Sequence, residues 1–179
     1  IEVEAVSDTG YKFVDWSDGS TDNPRTDTNV IADLSVTANF AINTYVVTFK
    51  DYDGDVIASS SVDHGNAATA PADPTRVGYT FTGWDVPFNN ITSDLTVTAQ
   101  YTINTYTLTY TAGANGYINV TGSTSTIQVV NYGSNGTAVT AVPADGYIFV
   151  KWGDGSTDNP RTDTNVEIGR ASCRKECAT

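Results

Sequence analysis

Six aspartates fall in two groups whose spacing could gather carboxylate oxygens around a hard cation: Asp18, Asp22 and Asp27, and then Asp154, Asp158 and Asp163. Divalent ions such as calcium take several such oxygens from a tight turn, and both groups carry Gly and Ser between the acids. Asx-turn hydrogen bonding explains the same residue types without an ion. The expectation is therefore a long turn whose acids are merely solvated. A third group, Asp51, Asp53 and Asp55 around Gly54, begins like a calcium loop, but no acid closes it at EF-hand spacing. A plain hairpin turn is expected there, and no metal or other cofactor anywhere.

Catalytic chemistry has few candidates. His64 is the one histidine, and no serine lies in a nucleophile motif. The two cysteines, Cys173 and Cys177, form a C-x3-C pair close to the end of the sequence. Paired carboxylates can hydrolyse glycosides, but here the acids lie in turns and the modules are too small for a large pocket. The chain reads as a non-enzyme. Aromatic triplets offer another chemistry, stacking on sugar rings multiplied by repetition: Tyr11, Phe13 and Trp16; Tyr79, Phe81 and Trp84; Tyr147, Phe149 and Trp152. Filling a small core accounts for them better, at about 1.5 to 3 kcal/mol for each large side chain buried. Strict alternation would turn Trp84 away from Tyr79 and Phe81, so a bulge or bend before it is expected to redirect it.

The elements that hold these residues repeat. Asp18 to Val30 returns letter for letter as Asp154 to Val166. The pattern GYxFxxW starts at Gly10, Gly78 and Gly146, a spacing of 68 residues (78 − 10 and 146 − 78). Leu34-Ser-Val-Thr-Ala-Asn-Phe40 matches Leu95-Thr-Val-Thr-Ala-Gln-Tyr101, and Asn43-Thr-Tyr45 matches Asn104-Thr-Tyr106. These signatures divide the chain into the C-terminal half of a divergent repeat at 1–42, a complete module at 43–103, and a divergent repeat lacking its last strand at 104–166.

A chain rich in Thr, Val, Tyr and Asn, without Met, favours strands and turns. The fold class expected is mainly β, with small tandem modules and no long helix. Leu34 to Ile42 and Leu95 to Ile103 alternate as half-buried strands. Parity then shifts by one at Asn43-Thr44 and at Asn104-Thr105, which demands a bend or a transfer between cores. In the middle module, Tyr45 to Lys50 and Val56 to Val62 should pair across the Asp51–Asp55 turn. Asn66 to Ala70 allows at best a short helix before Pro71 and Pro74. Strands in the third module are expected at Tyr106–Thr111, Tyr117–Thr121, Thr126–Asn131, Thr137–Val142 and Tyr147–Trp152.

The order of VTFKDYDGDVI, PADPTRVGY, GYTFTGW and ITSDLTVTAQY resembles the internalin B-repeat family, also called the Listeria/Bacteroides repeat. The flanking modules are similar to its divergent relatives, with GYxFxxW followed by DGSTDNP. The resemblance spans 1–166. It implies small β-rich modules, of β-grasp type in the middle one, strung along secreted or surface-anchored bacterial proteins, with no catalytic residues. Residues 167–179 break the repeat and resemble a translated sequencing adapter, so they are excluded from the fold.

The net charge of −12 is spread along the chain and suits a monomeric protein that resists self-association. Its scattered basic residues exclude nucleic acid as a partner. No apolar run reaches membrane-spanning length. The partners left are host or environmental glycans or proteins, met outside the cell, and the chain reads as an internal fragment of something longer.

Overall fold

A computed structural model describes residues 1–118 and 124–167. The excluded tail beyond Glu167 and the end of the strand expected at Tyr117–Thr121 lie outside the described residues. Among those described there is no helix, and thus none long and apolar enough to cross a membrane. The strands are β1 (Glu2–Val3), β2 (Tyr11–Trp16), β3 (Arg25–Thr26), β4 (Ala38–Ile42), β5 (Thr44–Lys50), β6 (Val56–Asp63), β7 (Tyr79–Trp84), β8 (Leu95–Ile103), β9 (Thr105–Thr111), β10 (Gly116–Ile118), β11 (Ser125–Asn131) and β12 (Ala141–Pro143). The protein is a β-rich array, as its composition predicts.

One compact unit takes Ile1–Pro74 with Thr82–Gln100. Within it β2 pairs antiparallel with β4, and β1 with β3. The middle module is built on a four-stranded sheet in the order β6-β5-β8-β7. Here β5 runs antiparallel to β6 and parallel to β8, with Phe49 opposite both Ala58 and Val97. Alternation along β5 sends Val47 and Phe49 into a core with Val62, Ala68, Ile91 and Val97. The Asp51–Asp55 turn is a hairpin, closed by Asp51 N–H donating to Asp55 O at 2.8 Å.

A second unit takes Thr75–Phe81 with Tyr101–Thr179. Its β9 pairs along its whole length with β11, and β10 pairs with β12. Leu108, Tyr110, Ile118, Val139, Trp152 and Val166 form its core.

Three local expectations change, besides the strand expected at Thr137–Val142, of which only Ala141 and Val142 are strand, in β12, while Val139 makes an isolated bridge to Arg161. Leu34 to Thr37 is not strand, and Leu34 is exposed. In β8 the matching residues Leu95 to Thr98 pair with β5, and residues 1–42 contain no counterpart of β5 that could make such a ladder. Tyr147–Trp152 is likewise irregular. Its counterpart β2 is held by β4, and 136 residues beyond β4 the sequence reads Arg-Lys-Glu-Cys-Ala, outside the described residues. Thirdly, Asn66–Ala70 forms no helical turn. It is drawn out as a loop, with Asn66 O accepting from Ile91 N–H and Ala68 N–H donating to Phe88 O, both at 2.9 Å.

Candidate functional site

The duplicated aspartate loops begin at the tryptophan of the GYxFxxW motif. Trp16 closes a tight turn, donating its N–H to Ser20 O and accepting from Gly19 N–H, while its indole Nε1 donates to Asp22 O at 2.8 Å. Asn23 then uses both ends of its amide on the backbone of Ala5, each bond 2.8 Å. A cis Asn23–Pro24 bond follows. Arg25, on β3, comes next and is buried inside the loop.

Arg25 is buried, and its guanidinium lies 5.6 Å from the Trp16 ring. It makes two two-pronged contacts. Nη1 and Nη2 donate to the two oxygens of Asp18 at 2.9 and 2.7 Å, while Nε and Nη2 hold Asp27 at 3.0 and 2.7 Å. A planar fork of this kind matches a carboxylate as no ammonium can. The hydrogen bonds from Arg25 hold the Asp18 carboxyl at about 2, from an ordinary value of 3.8, and also lower that of Asp27. The two acids in turn raise Arg25.

The second copy repeats the arrangement. Trp152 Nε1 donates to Asp158 O at 2.7 Å, Asn159 bonds both backbone groups of Ala141, and a cis Asn159–Pro160 bond precedes buried Arg161. Arg161 contacts Asp154 at 2.7 Å and Asp163 through Nε at 3.0 Å. Asp163 also accepts a 2.6 Å bond from Tyr110 Oη. Burial pushes the Asp163 carboxyl up, but the bonds from Arg161 and Tyr110 outweigh it and leave the pKa lowered.

The candidate cation ligands therefore divide. Asp18, Asp27, Asp154 and Asp163 surround a guanidinium of the chain itself, which corrects the expectation that they are merely solvated. Asp22 and Asp158 contribute backbone carbonyls to tryptophan instead. Among the described residues no group of three or more His, Cys, Asp or Glu is arranged to hold a metal ion. Sequence reading missed both arginines, although each stands two residues before an aspartate in the duplicated string.

The aromatics also divide. Trp16 and Trp152 are buried, at 6% and 5% exposure, and Trp84 is half-buried with its ring 4.9 Å from Phe49. Phe13, Phe81 and Phe149 are half-buried, Phe13 and Phe149 each standing 5.6 Å from the tryptophan of its own motif. Tyr11 and Tyr147 are exposed, at 48% and 41%, and do not belong to a core. Tyr79 is half-buried because Arg76 stacks 3.7 Å over its ring. Asp8 and Ala144 hold the matching places in the other copies and cannot cover a ring. The bend expected before the tryptophan is present in two forms. The β2–β4 register slips between Phe13 and Asp15, and Gly83 takes φ 127 just before Trp84.

Elsewhere a shallow groove beside β6, lined by Ala58, Ser60, Val62 and Ala67 among others, carries a single titratable side chain, Asp63.

Comparison with known proteins fits this architecture. The Listeria-Bacteroides repeat domain matches residues 45–105, and the divergent InlB B-repeat domain matches 1–44 and 106–169. Internalin H of Listeria monocytogenes is 37% identical over 87 residues, covering 46% of this chain and 16% of that protein. A "Putative membrane protein" of Evansella cellulosilytica is 27% identical over 133 residues, covering 69% of this chain and 19% of its own length. The chain thus spans under a fifth of each relative. No solved structure matches it. By these matches the chain belongs to the internalin B-repeat, or Listeria-Bacteroides repeat, family.

Proposed function

We propose that this chain is a non-catalytic, extracellular spacer of a bacterial surface or secreted protein. Its small β modules carry other parts of that protein away from the envelope and add only weak adhesion to glycans or proteins. The observation that carries this reading is the loop built twice around Arg25 and Arg161. Its charged residues face one another instead of a cavity, so they serve cohesion. A relative called an internalin and another called a membrane protein agree with a place at the cell surface.

Pulling the chain from its two ends with optical tweezers tests the spacer role. Discrete unfolding steps are expected, and gradual opening at low force would overturn it. A second reading, an adhesin, is favoured by exposed Tyr11, Phe40 and Tyr147. A glycan bound by the folded chain, and lost in Tyr11→Ala with the fold intact, would put that reading first.

A further inference from the structure

The glycine that opens the GYxFxxW motif has a second role. Gly10 O accepts the N–H of Asn43 at 2.8 Å, and Asn43 O accepts the N–H of His64 at 2.8 Å. The same relay recurs one module later, where Gly78 O accepts from Asn104 at 2.9 Å and Asn104 O from Tyr132 at 2.8 Å. In each case the last residue is aromatic and lays its ring on the glycine. A Cβ built on Gly10 would overlap the His64 ring, and one on Gly78 the Tyr132 ring. Both glycines also have positive φ, 85 and 78. Glycine is thus required twice over, for conformation and for close approach.

The surroundings repeat too. Gly65 N–H bonds Ile91 O and Gly133 N–H bonds Val166 O, so each ring stands on a corner tied to the core of its own module. The single residues Asn43 and Asn104 separate β4 from β5 and β8 from β9. All partners of the Gly10 relay lie in one compact unit, and all partners of the Gly78 relay in the other.

We infer that Gly10 and Gly78 are sockets of a repeated module joint, each receiving an aromatic ring from the following repeat. At each of these places the two sides of the single-residue link are tied to each other within one compact unit and are not joined there by a flexible linker. The third motif keeps the socket conformation, with φ 82 at Gly146. This rests on the spacer reading for its purpose, since a spacer must hold its shape at every joint.

Amide hydrogen exchange on the full chain tests it. Tyr132→Ala should speed exchange at Asn104 and at position 132 by about tenfold or more, through local opening, and leave Val47, Phe49 and Leu108 unchanged. Tyr132→Phe, which keeps the ring, should exchange like the parent. Gly78→Ala should open the same amides, and adding Tyr132→Ala should partly relieve it, because the new Cβ then has room. Unchanged protection at Asn104 in Tyr132→Ala would overturn the joint. So would faster exchange throughout the cores, which would make Tyr132 a core residue instead. Exchange is measured without force or ligand, so failure of the spacer reading in the tweezers is a separate result.

Discussion

Tyr110 reaches from β9 to Asp163, 53 residues further along, and donates a 2.6 Å hydrogen bond to its carboxylate. Tyr110 is 1% exposed and is among the largest fully buried side chains of the described residues. Its hydroxyl has to find a partner, because a buried O–H left unpaired costs about 1 to 3 kcal/mol. Asp163 supplies that partner while it holds Arg161. One carboxylate thus joins the strand that opens the third module to the loop that closes it.

Asp163→Asn should accordingly destabilise the third module by about 1 to 3 kcal/mol, since it weakens a charged bond to a buried guanidinium and disturbs the Tyr110 hydroxyl. Urea unfolding followed by fluorescence measures this. Asp158→Asn should stay within about 0.5 kcal/mol, because the loop uses the backbone carbonyl of residue 158 and not its carboxylate. Equal effects at the two positions would show that the clamp contributes nothing.

Acid should reveal the same clamps. The carboxyls of Asp18, Asp27 and Asp163 are all lowered from 3.8 in the folded chain, Asp18 to about 2. A group whose folded pKa is depressed lends stability above its unfolded pKa and loses it as pH falls through the folded one. The loss should therefore fall between about pH 4 and pH 2. Unfolding midpoints taken across that range should drop in the parent and drop less in a variant with Asp18, Asp27 and Asp163 all changed to Asn. A parent whose stability holds level down to pH 2 would contradict it.

Much of this was legible from residues. Alternation located β5, β6 and β8, the parity shift marked the single-residue links Asn43 and Asn104, and the 68-residue spacing revealed the array. What escaped was long-range. Strand ladders need a partner, and the irregular courses of Leu34–Thr37 and Tyr147–Trp152 follow from strands beyond the local pattern. The ion pairs escaped because charge on a loop normally signals solvent, whereas cis Asn23–Pro24 and the Asn23–Ala5 clasp accompany an arginine turned inward. The ring-on-glycine joints escaped for a related reason. Gly78 and Tyr132 are 54 residues apart, and neither signals the other.

Trp84→Ala should cost the middle module about 3 kcal/mol, near the lower end for loss of a large aromatic because the ring is only half-buried. Its contact with Phe49, at 4.9 Å and 72° between planes, would go, and Phe49 itself touches Phe88. Denaturation of the full chain should show one transition moving to lower urea. A folded variant with an unmoved transition would place Trp84 outside the core.

Arg161→Lys gives the sharpest separation between an ion-binding loop and a self-closed one. Lysine keeps the charge but has one ammonium where the fork now serves Asp154 and Asp163 together, so the two-pronged geometry is lost. Under the self-closed arrangement this variant should be destabilised by about 1 to 3 kcal/mol, despite its unchanged net charge. Millimolar calcium should leave the parent melting temperature where it was, because a guanidinium already stands between the carboxylates an ion would need. An ion that bound the native state alone would raise the midpoint with concentration. A calcium-dependent rise in the parent that vanishes in Asp163→Asn would show that arginine can be displaced, and the loops would then be cation sites after all.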